Sequence, residues 1–560
     1  MTLVVGLTVS ENSSGVPILD GGCTIVEDGE VRVAVSEERL IREKYAPGFQ
    51  EALYSCLEYV GVDLLDVDQF VFSNCLDQPM SPTRITNHLR SLAIEIPKQR
   101  ITVCDSHHRS HAASAFFSSP FQQALIFTID NTGNVLYGDY GRHELNGVER
   151  TSVYWGKDSD IQLLDRHHDG CSELGIGAAY KYVSLYLGFD TYKDAGKVMG
   201  MAAYGDGALS EYRFFDDDWN CMIPSNPYDR GQAVRRCLTE QGLDPGPPKT
   251  DTESPSELQQ EIAWLIQRDL ERVILEMAGQ YVERTGCQTL CYAGGVALNC
   301  VANAKILRET DVEHLFIPPA PGDYGQCLGN ALYGYYNVLG NERDEGLTSV
   351  YLGRKYGDGA ISSALEQYSD QVEFRRVKNV PELVASRLQD GKIVGHYHGR
   401  SEFGPRALGN RSILADPRNP ETKSYVNESV KFREEYRPFA PSILREAYSD
   451  FFDDEWAPLC RYMLLAQPVK DERRRKIPAT VHVNDTARLQ TVSTADNPRF
   501  YAIIEAFANR TGIPVVLNTS FNLAGEPIVE RPEDAIDTYL RSGMDILVLD
   551  NYVVEAAVNS

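Results

Sequence analysis

The segment His107-His108-Arg109-Ser110-His111 is followed, nineteen residues after its last histidine, by Asp130 at the end of the run Leu125-Ile126-Phe127-Thr128-Ile129. That order constrains the fold. The run reads as a buried strand, and a carboxylate at its C-terminal tip lies where open α/β sheets keep their functional groups. His107 and His111 are four apart, so on a helix they share one face and can grip one ion. A second carboxylate, Asp323, lies in the loop Pro318-Pro319-Ala320-Pro321-Gly322-Asp323-Tyr324-Gly325. Two imidazoles and two carboxylates suit a borderline divalent ion: Zn, Fe(II) or Mn. An HxxxH pair alone is a weak signal, because surface and core histidines are its commoner explanation.

Other segments build the same α/β picture. Leu3–Leu7 is an apolar strand, and Cys23–Val26 and Val31–Val35 flank Asp28-Gly29, a hairpin signal. Ile101–Cys104 is a further short strand. One helix is predicted from a cap at Ser254, with Pro255 in its first turn and Glu257 closing a capping box. Leu258, Ile262, Leu265, Ile266, Leu270, Val273, Ile274, Met277 and Tyr281 then recur at helical spacing until Gly286. The strand Thr289–Ala293 follows, then Gly294-Gly295, then a helix from about Val296. A glycine pair at a strand-to-helix turn exposes N–H groups where a phosphate can sit.

The length of 560 residues exceeds one ordinary core. Gly340–Leu347 reads as a linker, dividing a domain over 1–345 from one over 346–560. The second half has its own strands at Glu373–Val377, Ile393–Tyr397, Ser412–Ala415, Val515–Leu517 and Ile546–Leu549. Pro224–Pro255, rich in Pro, Gly and charge, reads as an exposed excursion. The net charge of −26 opposes binding to nucleic acid and to anionic membranes. No run of 18 apolar residues and no signal peptide is evident, so a cytoplasmic protein is expected. Twelve cysteines without paired CxxC spacing fit a reduced compartment, with Cys287 and Cys291 as core thiols.

In so acidic a chain the basic loops need a partner. Arg400, Arg406 and Arg411 fall within Gly399–Ser412, Lys431, Arg433 and Arg437 within Lys431–Pro441, and Arg488 follows. Guanidinium forks match phosphate oxygens. The alternative is internal pairing with Glu402, Glu434 and Glu435, which would claim two or three of them. Asn518-Thr519-Ser520-Phe521-Asn522 ends a strand with amide and hydroxyl groups suited to ribose, phosphate or a small planar amide, or to an ordinary turn.

Seven co-linear segments together resemble the carbamoyltransferase family of antibiotic and nodulation-factor biosynthesis, the NodU and TobZ type. They are His107–Phe116, Asp194–Gly205, Ala293–Asn303, Pro321–Gly329, Gly399–Leu414, Lys431–Pro441 and Asn518–Pro527. The resemblance implies an N-terminal domain of the duplicated actin/hexokinase type, as in the tRNA threonylcarbamoyltransferases (TsaD-like), followed by a C-terminal YrdC-like α/β domain. It implies that the second domain makes carbamoyl-adenylate from carbamoyl phosphate and Mg-ATP, and that the first transfers the carbamoyl group to a small-molecule hydroxyl, with an amine also conceivable. By the same resemblance His107, His111, Asp130 and Asp323 ligate a metal, with Fe(II) the family ion. Gly294, Gly295 and Asn299 hold the nucleotide in the first domain, and Lys44 resembles a basic nucleotide contact. Arg406, Arg437, Arg488, Asn518 and Ser520 match positions that bind carbamoyl phosphate, ATP or the adenylate. A homodimer is compatible with the family.

Two positions depart from the family pattern. Leu19 stands where the family has the histidine that acts as general base, so Asp20, His108 or Asp194 would have to serve, with Asp20 preferred and His108 next. Asp130-Asn131-Thr132-Gly133-Asn134 replaces the more usual Asp-Gly-x-Gly-Glu. The rival readings are a tRNA threonylcarbamoyltransferase, disfavoured by charge, and a hydrogenase-maturation carbamoyltransferase, disfavoured by domain content. A paralogue that binds adenylate without transferring it is the third. A sugar kinase would release ADP rather than AMP and pyrophosphate.

Overall fold

The computed structural model describes residues 1–9, 20–75, 80–136, 147–169, 174–189, 192–224, 229–250, 252, 254–343, 345–453 and 456–557. Leu19 and the stretch Ser10–Val16 lie outside them. The chain forms two compact units of mixed α/β structure: Met1–Glu37 with Ala46–Thr348, and Glu38–Tyr45 with Ser349–Ser560.

The first unit contains two sheets of one design. In the first, Leu3–Thr8 pairs antiparallel with Gly22–Glu27, which pairs antiparallel with Glu30–Ser36. On its other side Leu3–Thr8 runs parallel to Gln69–Ser73, and that strand parallel to Ile101–Val103. In the second, Gln123–Ile129 pairs antiparallel with Gly147–Lys157, which pairs antiparallel with Asp160–Asp169. Gln123–Ile129 runs parallel to Thr289–Ala293, and that strand parallel to His314–Phe316. Order and sense are therefore repeated. The first hairpin turns at Asp28 and Gly29, both with positive φ (47° and 89°), the conformation that a two-residue turn between right-twisted strands demands.

Two helices carry the parts that matter for the site. His107–Ser118 packs on the second sheet and Gln326–Tyr333 on the first, and the helices pack on each other. The approach is close because side chains are missing at the contacts. A Cβ on Gly329 would lie 2.0 Å from Ser110 O, and one on Gly6 2.0 Å from Cys327 O.

The long helix is Glu257–Thr285, ended by Gly286 at φ 70°. Its cap differs from the expected one by two residues: Ser256 accepts from Gln259 N, and the Gln259 side chain returns to Ser256 N. Both serines fit the box motif, and the helix takes the second, so that it begins at Glu257. The expected helix from Val296 is a 3-10 turn, Gly295–Leu298, and the α-helix begins at Cys300. The Pro224–Pro255 excursion is corrected as well. Within it Arg230–Glu240 is a helix that buries Ala233, Val234, Cys237 and Leu238. The polar stretch before Thr348 is pinned rather than free: Leu347 N donates to Ser118 O, and Arg343 donates to Phe116 O and Ser119 O. All cysteines among the described residues are free thiols; Cys291 is buried and Cys287 half-buried.

The second unit is built on an eight-stranded mixed sheet. Its order is Val372–Arg376, Tyr552–Ala556, Ile546–Leu549, Val394–Tyr397, Arg411–Ala415, Val515–Ser520, Ala440–Leu444, Gln490–Val492. Tyr397, Ile413, Leu517, Phe521, Ile536 and Leu547 lie in its core. Ala440–Leu444 was not legible as a strand, since Pro438 and Pro441 read as loop. No helix among the described residues is long and apolar enough to cross a membrane.

Candidate functional site: a metal centre and a cationic cluster

Ser106 caps the helix that begins at His107, accepting from Arg109 N. One turn of that helix sets His107 and His111 side by side, their Nε2 atoms 3.2 Å apart. Asp130 arrives from the end of the strand Gln123–Ile129, and Asp323 from the turn before the helix Gln326–Tyr333. His111 Nε2 is 3.0 Å from Asp130 Oδ2 and 3.2 Å from Asp323 Oδ1; His107 Nε2 is 3.4 and 3.2 Å from the same atoms. One donor atom from each of the four residues falls within 4.8 Å of all the others.

Burial works against every charge here, yet proximity prevails. The carboxylates hold the His107 imidazole well above its usual range and that of His111 above it, while the imidazoles hold Asp130 well below the carboxylate range. Asp130 Oδ2 is enclosed without a well-formed hydrogen bond. Four donors thus face a common centre more than they face each other, and the N₂O₂ set fits a borderline divalent cation.

A second set of buried groups orients this centre. Asn134 Oδ1 accepts from His107 N at 2.6 Å, and Asn134 N donates to Glu149 Oε2 at 3.0 Å. Glu149, fully buried, also accepts from Ser106 Oγ at 2.5 Å and pairs with Arg166 at 3.0 Å. Asn134, the departure noted in the sequence, therefore helps to cap the helix that carries His107 and His111. Glu149 was not foreseen, because nothing in Gly147-Val-Glu-Arg-Thr-Ser152 marks a buried acid.

His108 points elsewhere than its neighbours. Ser152 Oγ accepts from Arg166 Nε at 3.0 Å and is hydrogen-bonded to His108 Nδ1 at 2.8 Å. The ring is wholly enclosed, and burial pushes it down to about 3. Asp20 is buried at φ 64°, just before the strand Gly22–Glu27. Asp194 pairs with Lys197 at 3.0 Å. Beside the four donors, a narrow recess of about 10 Å³, room for about one water, is lined by Thr8, Ser73, Asn74, Cys75, His107, Asp323 and Gln326. Thr8, at 5 % exposure, has its hydroxyl enclosed without a hydrogen-bond partner.

Gly294 sits at φ 94°, where a Cβ would be 2.2 Å from Ile129 O, and a Cβ on Gly295 would be 3.0 Å from Asp130 Oδ1. The glycine turn therefore lies against the metal centre. Asn299 is buried, caps the helix Cys300–Glu309 and exchanges two hydrogen bonds with Gln267.

The second unit gathers cations. The buried Lys431 donates to Ser520 O (2.8 Å), Asn522 O (2.9 Å) and Asn522 Oδ1 (2.8 Å), with Ser520 Oγ at 3.2 Å. Burial, then Arg433, Arg437 and Lys44, push Lys431 well below the usual ammonium range; burial, Arg437 and Arg488 do the same to Arg433. Lys44 itself is exposed and belongs to this unit. Arg437 lies 3.6 Å from Glu434. Arg406 and Arg488 are half-buried, each with Nε enclosed. Asn518 is buried and donates to Ala407 O, Ser442 Oγ and Gln490 Oε1.

Internal pairing takes the expected form at Arg437 with Glu434 and a different one at Arg400 and Arg411. Arg400 donates to Leu352 O and Gly353 O, and the fully buried Arg411 donates to the carbonyls of His398, Gly399 and Asn410 while stacking 3.6 Å over Tyr397. Glu402 is used by the backbone N–H groups of Leu408, Asn410 and Arg411, and Glu435 by Ser424. Carbonyl oxygens, not glutamates, claim the two structural arginines.

Two family patterns match this chain: Carbamoyltransferase N-terminus over residues 89–332 and Carbamoyltransferase C-terminus over residues 385–556. Nodulation protein NolNO of Sinorhizobium fredii is 36% identical over 98% of this chain and 81% of its own length. The 3'-hydroxymethylcephem-O-carbamoyltransferase of Amycolatopsis lactamdurans is 31% identical over 77% of this chain and 76% of its own. Nodulation protein U of Sinorhizobium fredii is 27% identical over 90% and 92%.

Proposed function

The chain belongs to the carbamoyltransferase family, and from that membership we propose that it is an ATP-dependent O-carbamoyltransferase working in two steps, one in each unit. The observation that carries this reading is the cationic cluster. Lys431, Arg433, Arg437, Arg488 and Lys44 act on one another's charge in one region of the second unit, and such a gathering of cations suits a polyanionic ligand.

In the second unit water cleaves carbamoyl phosphate, one bond to the phosphate breaking as the water oxygen is taken up, and leaves carbamate and inorganic phosphate. A carbamate oxygen attacks the α-phosphorus of ATP, the bond to the bridging oxygen breaks, and pyrophosphate leaves. The product is carbamoyl-adenylate. Two polyanions must meet, and the guanidinium and ammonium groups offset their repulsion while orienting the in-line attack. Arg406, Arg437, Arg488, Asn518 and Ser520 are assigned to this step, with Lys431 tying Ser520 and Asn522 in place.

In the first unit, which we read as the duplicated actin/hexokinase type on the strength of its two like-ordered sheets, the acceptor oxygen attacks the carbamoyl carbon and AMP leaves. A divalent ion held by His107, His111, Asp130 and Asp323 would supply Lewis acidity for the charge developing there. Gly294 and Gly295 border this centre and suit close approach of a nucleotide. Because His108 is enclosed, the acceptor's proton is assigned to Asp20. Relatives that carbamoylate a hydroxymethyl group favour a hydroxyl acceptor.

The test is to incubate the protein with carbamoyl phosphate, ATP and Mg²⁺ and to follow pyrophosphate, AMP and ADP. Pyrophosphate that depends on carbamoyl phosphate is expected. ADP in its place would mean kinase chemistry. Absence of turnover in folded, metal-loaded protein would leave a binding paralogue.

A further inference from the structure

Among the described residues of the second unit, two aromatics sit on left-handed backbone: Phe432 at φ 45° and Tyr45 at φ 61°. Glycine, asparagine and aspartate adopt that region readily; a bulky ring there is an outlier that calls for a reason. Both rings occupy the same kind of place. Phe432 separates Lys431 from Arg433, and Tyr45 follows Lys44, whose Nζ lies 5.2 Å from the Tyr45 ring centroid. Lys44 and Lys431 are near enough for their charges to act on each other.

The neighbours of Phe432 turn into the protein. Lys431 is bound by oxygens of Ser520 and Asn522, while Arg433 donates to Asn427 Oδ1 and lies 4.3 Å over Phe439. Phe432 itself is 58% exposed. Its N–H donates to Asn427 O and ends the turn Asn427–Lys431. The chain therefore bears both a disfavoured backbone and an uncovered apolar ring at one residue, beside a cluster that calls for a polyanion. A nucleoside triphosphate answers both needs, since it joins a polyanion to a flat π surface, and stacking on an aromatic ring is a strong and adaptable contact for a base.

We propose that Phe432 and Tyr45 form the base-binding wall of the nucleotide site in the second unit and take the purine ring of ATP by stacking. This rests on the adenylate-forming reading of the cluster and adds to it a division of labour: cations bind the phosphates, the two rings bind the base.

The test compares two ligands of the full-length protein by calorimetry with Mg²⁺ present: α,β-methylene-ATP, which has a base, and inorganic tripolyphosphate, which has none. Phe432→Gly is expected to weaken the ATP analogue about tenfold and to leave tripolyphosphate within about twofold. Its melting temperature should hold or rise, since glycine adopts left-handed backbone freely. Tyr45→Asn should act in the same direction. If Phe432→Gly melts lower than wild type, Phe432→Asn, which also tolerates this backbone, is scored in its place. Equal losses for both ligands, no loss for the analogue, or a change of oligomeric state alone would overturn the inference. Wild-type protein that binds neither ligand and makes no carbamoyl-phosphate-dependent pyrophosphate would overturn the functional reading, and this inference with it. Pyrophosphate formation with an unchanged ligand ratio would sink this inference alone.

Discussion

The two units solve opposite electrostatic problems. In the first, imidazoles and carboxylates interlock at 3.0 to 3.4 Å, each holding the other charged despite burial. In the second, burial first and then neighbouring cations push the buried Lys431 and the half-buried Arg433 well below their usual ranges. A balanced set of four donors is completed by a cation that displaces its protons. A set of like charges is completed by an anion that brings the missing sign.

The largest expected effects separate the two chemistries. Arg437→Ala should lower carbamoyl-phosphate-dependent pyrophosphate release by about 10²–10³-fold, with metal content unchanged. His111→Ala should lower metal affinity by more than about 100-fold and stop carbamoyl transfer, while pyrophosphate release persists. Metal analysis and a pyrophosphate assay on the same preparations check both. Equal loss of both steps in either variant would break the division between units.

Stability should respond with opposite signs. In metal-free protein Asp130→Asn leaves two imidazoles with Asp323 as their one remaining carboxylate and should destabilise the first unit by about 3 kcal/mol. Arg433→Met removes a charge from a repelling cluster and, without ligand, should stabilise the second unit by about 1 kcal/mol while weakening tripolyphosphate binding. Hydrogen exchange resolved to each unit reads both. A loss of stability in Arg433→Met would mean that its contacts to Asn427 and Phe439 outweigh the repulsion.

Between these in size lies a behaviour that the units share. His108 in the first and His396 in the second are both fully buried, and burial pushes each from 6.5 to about 3. A histidine depressed in the folded state stabilises it fully above pH 6.5, and that contribution is lost as pH falls toward 3. Each should cost about 2 kcal/mol by pH 5. His396→Asn should flatten the acid limb of the second unit only, as read by hydrogen exchange at pH 5 and pH 7. An unchanged limb would mean that the ring gains solvent before it gains a proton.

Spacing and periodicity carried much of the outcome. The pair His107 and His111, the strand ending at Asp130, the turn at Asp28-Gly29, the Gly286 stop and the strands Thr289–Ala293 and Ile546–Leu549 are local patterns, written in residues a few positions apart. The seven ordered segments pointed to the family. Less legible was whatever depends on partners far along the chain. Ser256 rather than Ser254 caps the long helix; Arg230–Glu240 is a packed helix inside a polar stretch; Ala440–Leu444 is a strand despite its prolines.

By itself, the sequence determined the α/β class and the family, because periodicity, turn chemistry and the order of motifs are properties of short segments, while its division at 345/346 left Glu38–Tyr45 with the first half, where the structure counts it in the second unit. The tertiary structure alone decided which of those residues meet. It drew Asp323 to within 3.2 Å of histidines more than two hundred residues away, and set buried Glu149 and Asn134 behind them. It withdrew Arg400 and Arg411 from any ligand by giving them backbone carbonyls, while leaving Lys431 and Arg433 among like charges. The physical reason is that burial and long-range contact set the free energy of a charge, and neither is encoded in its neighbours along the chain.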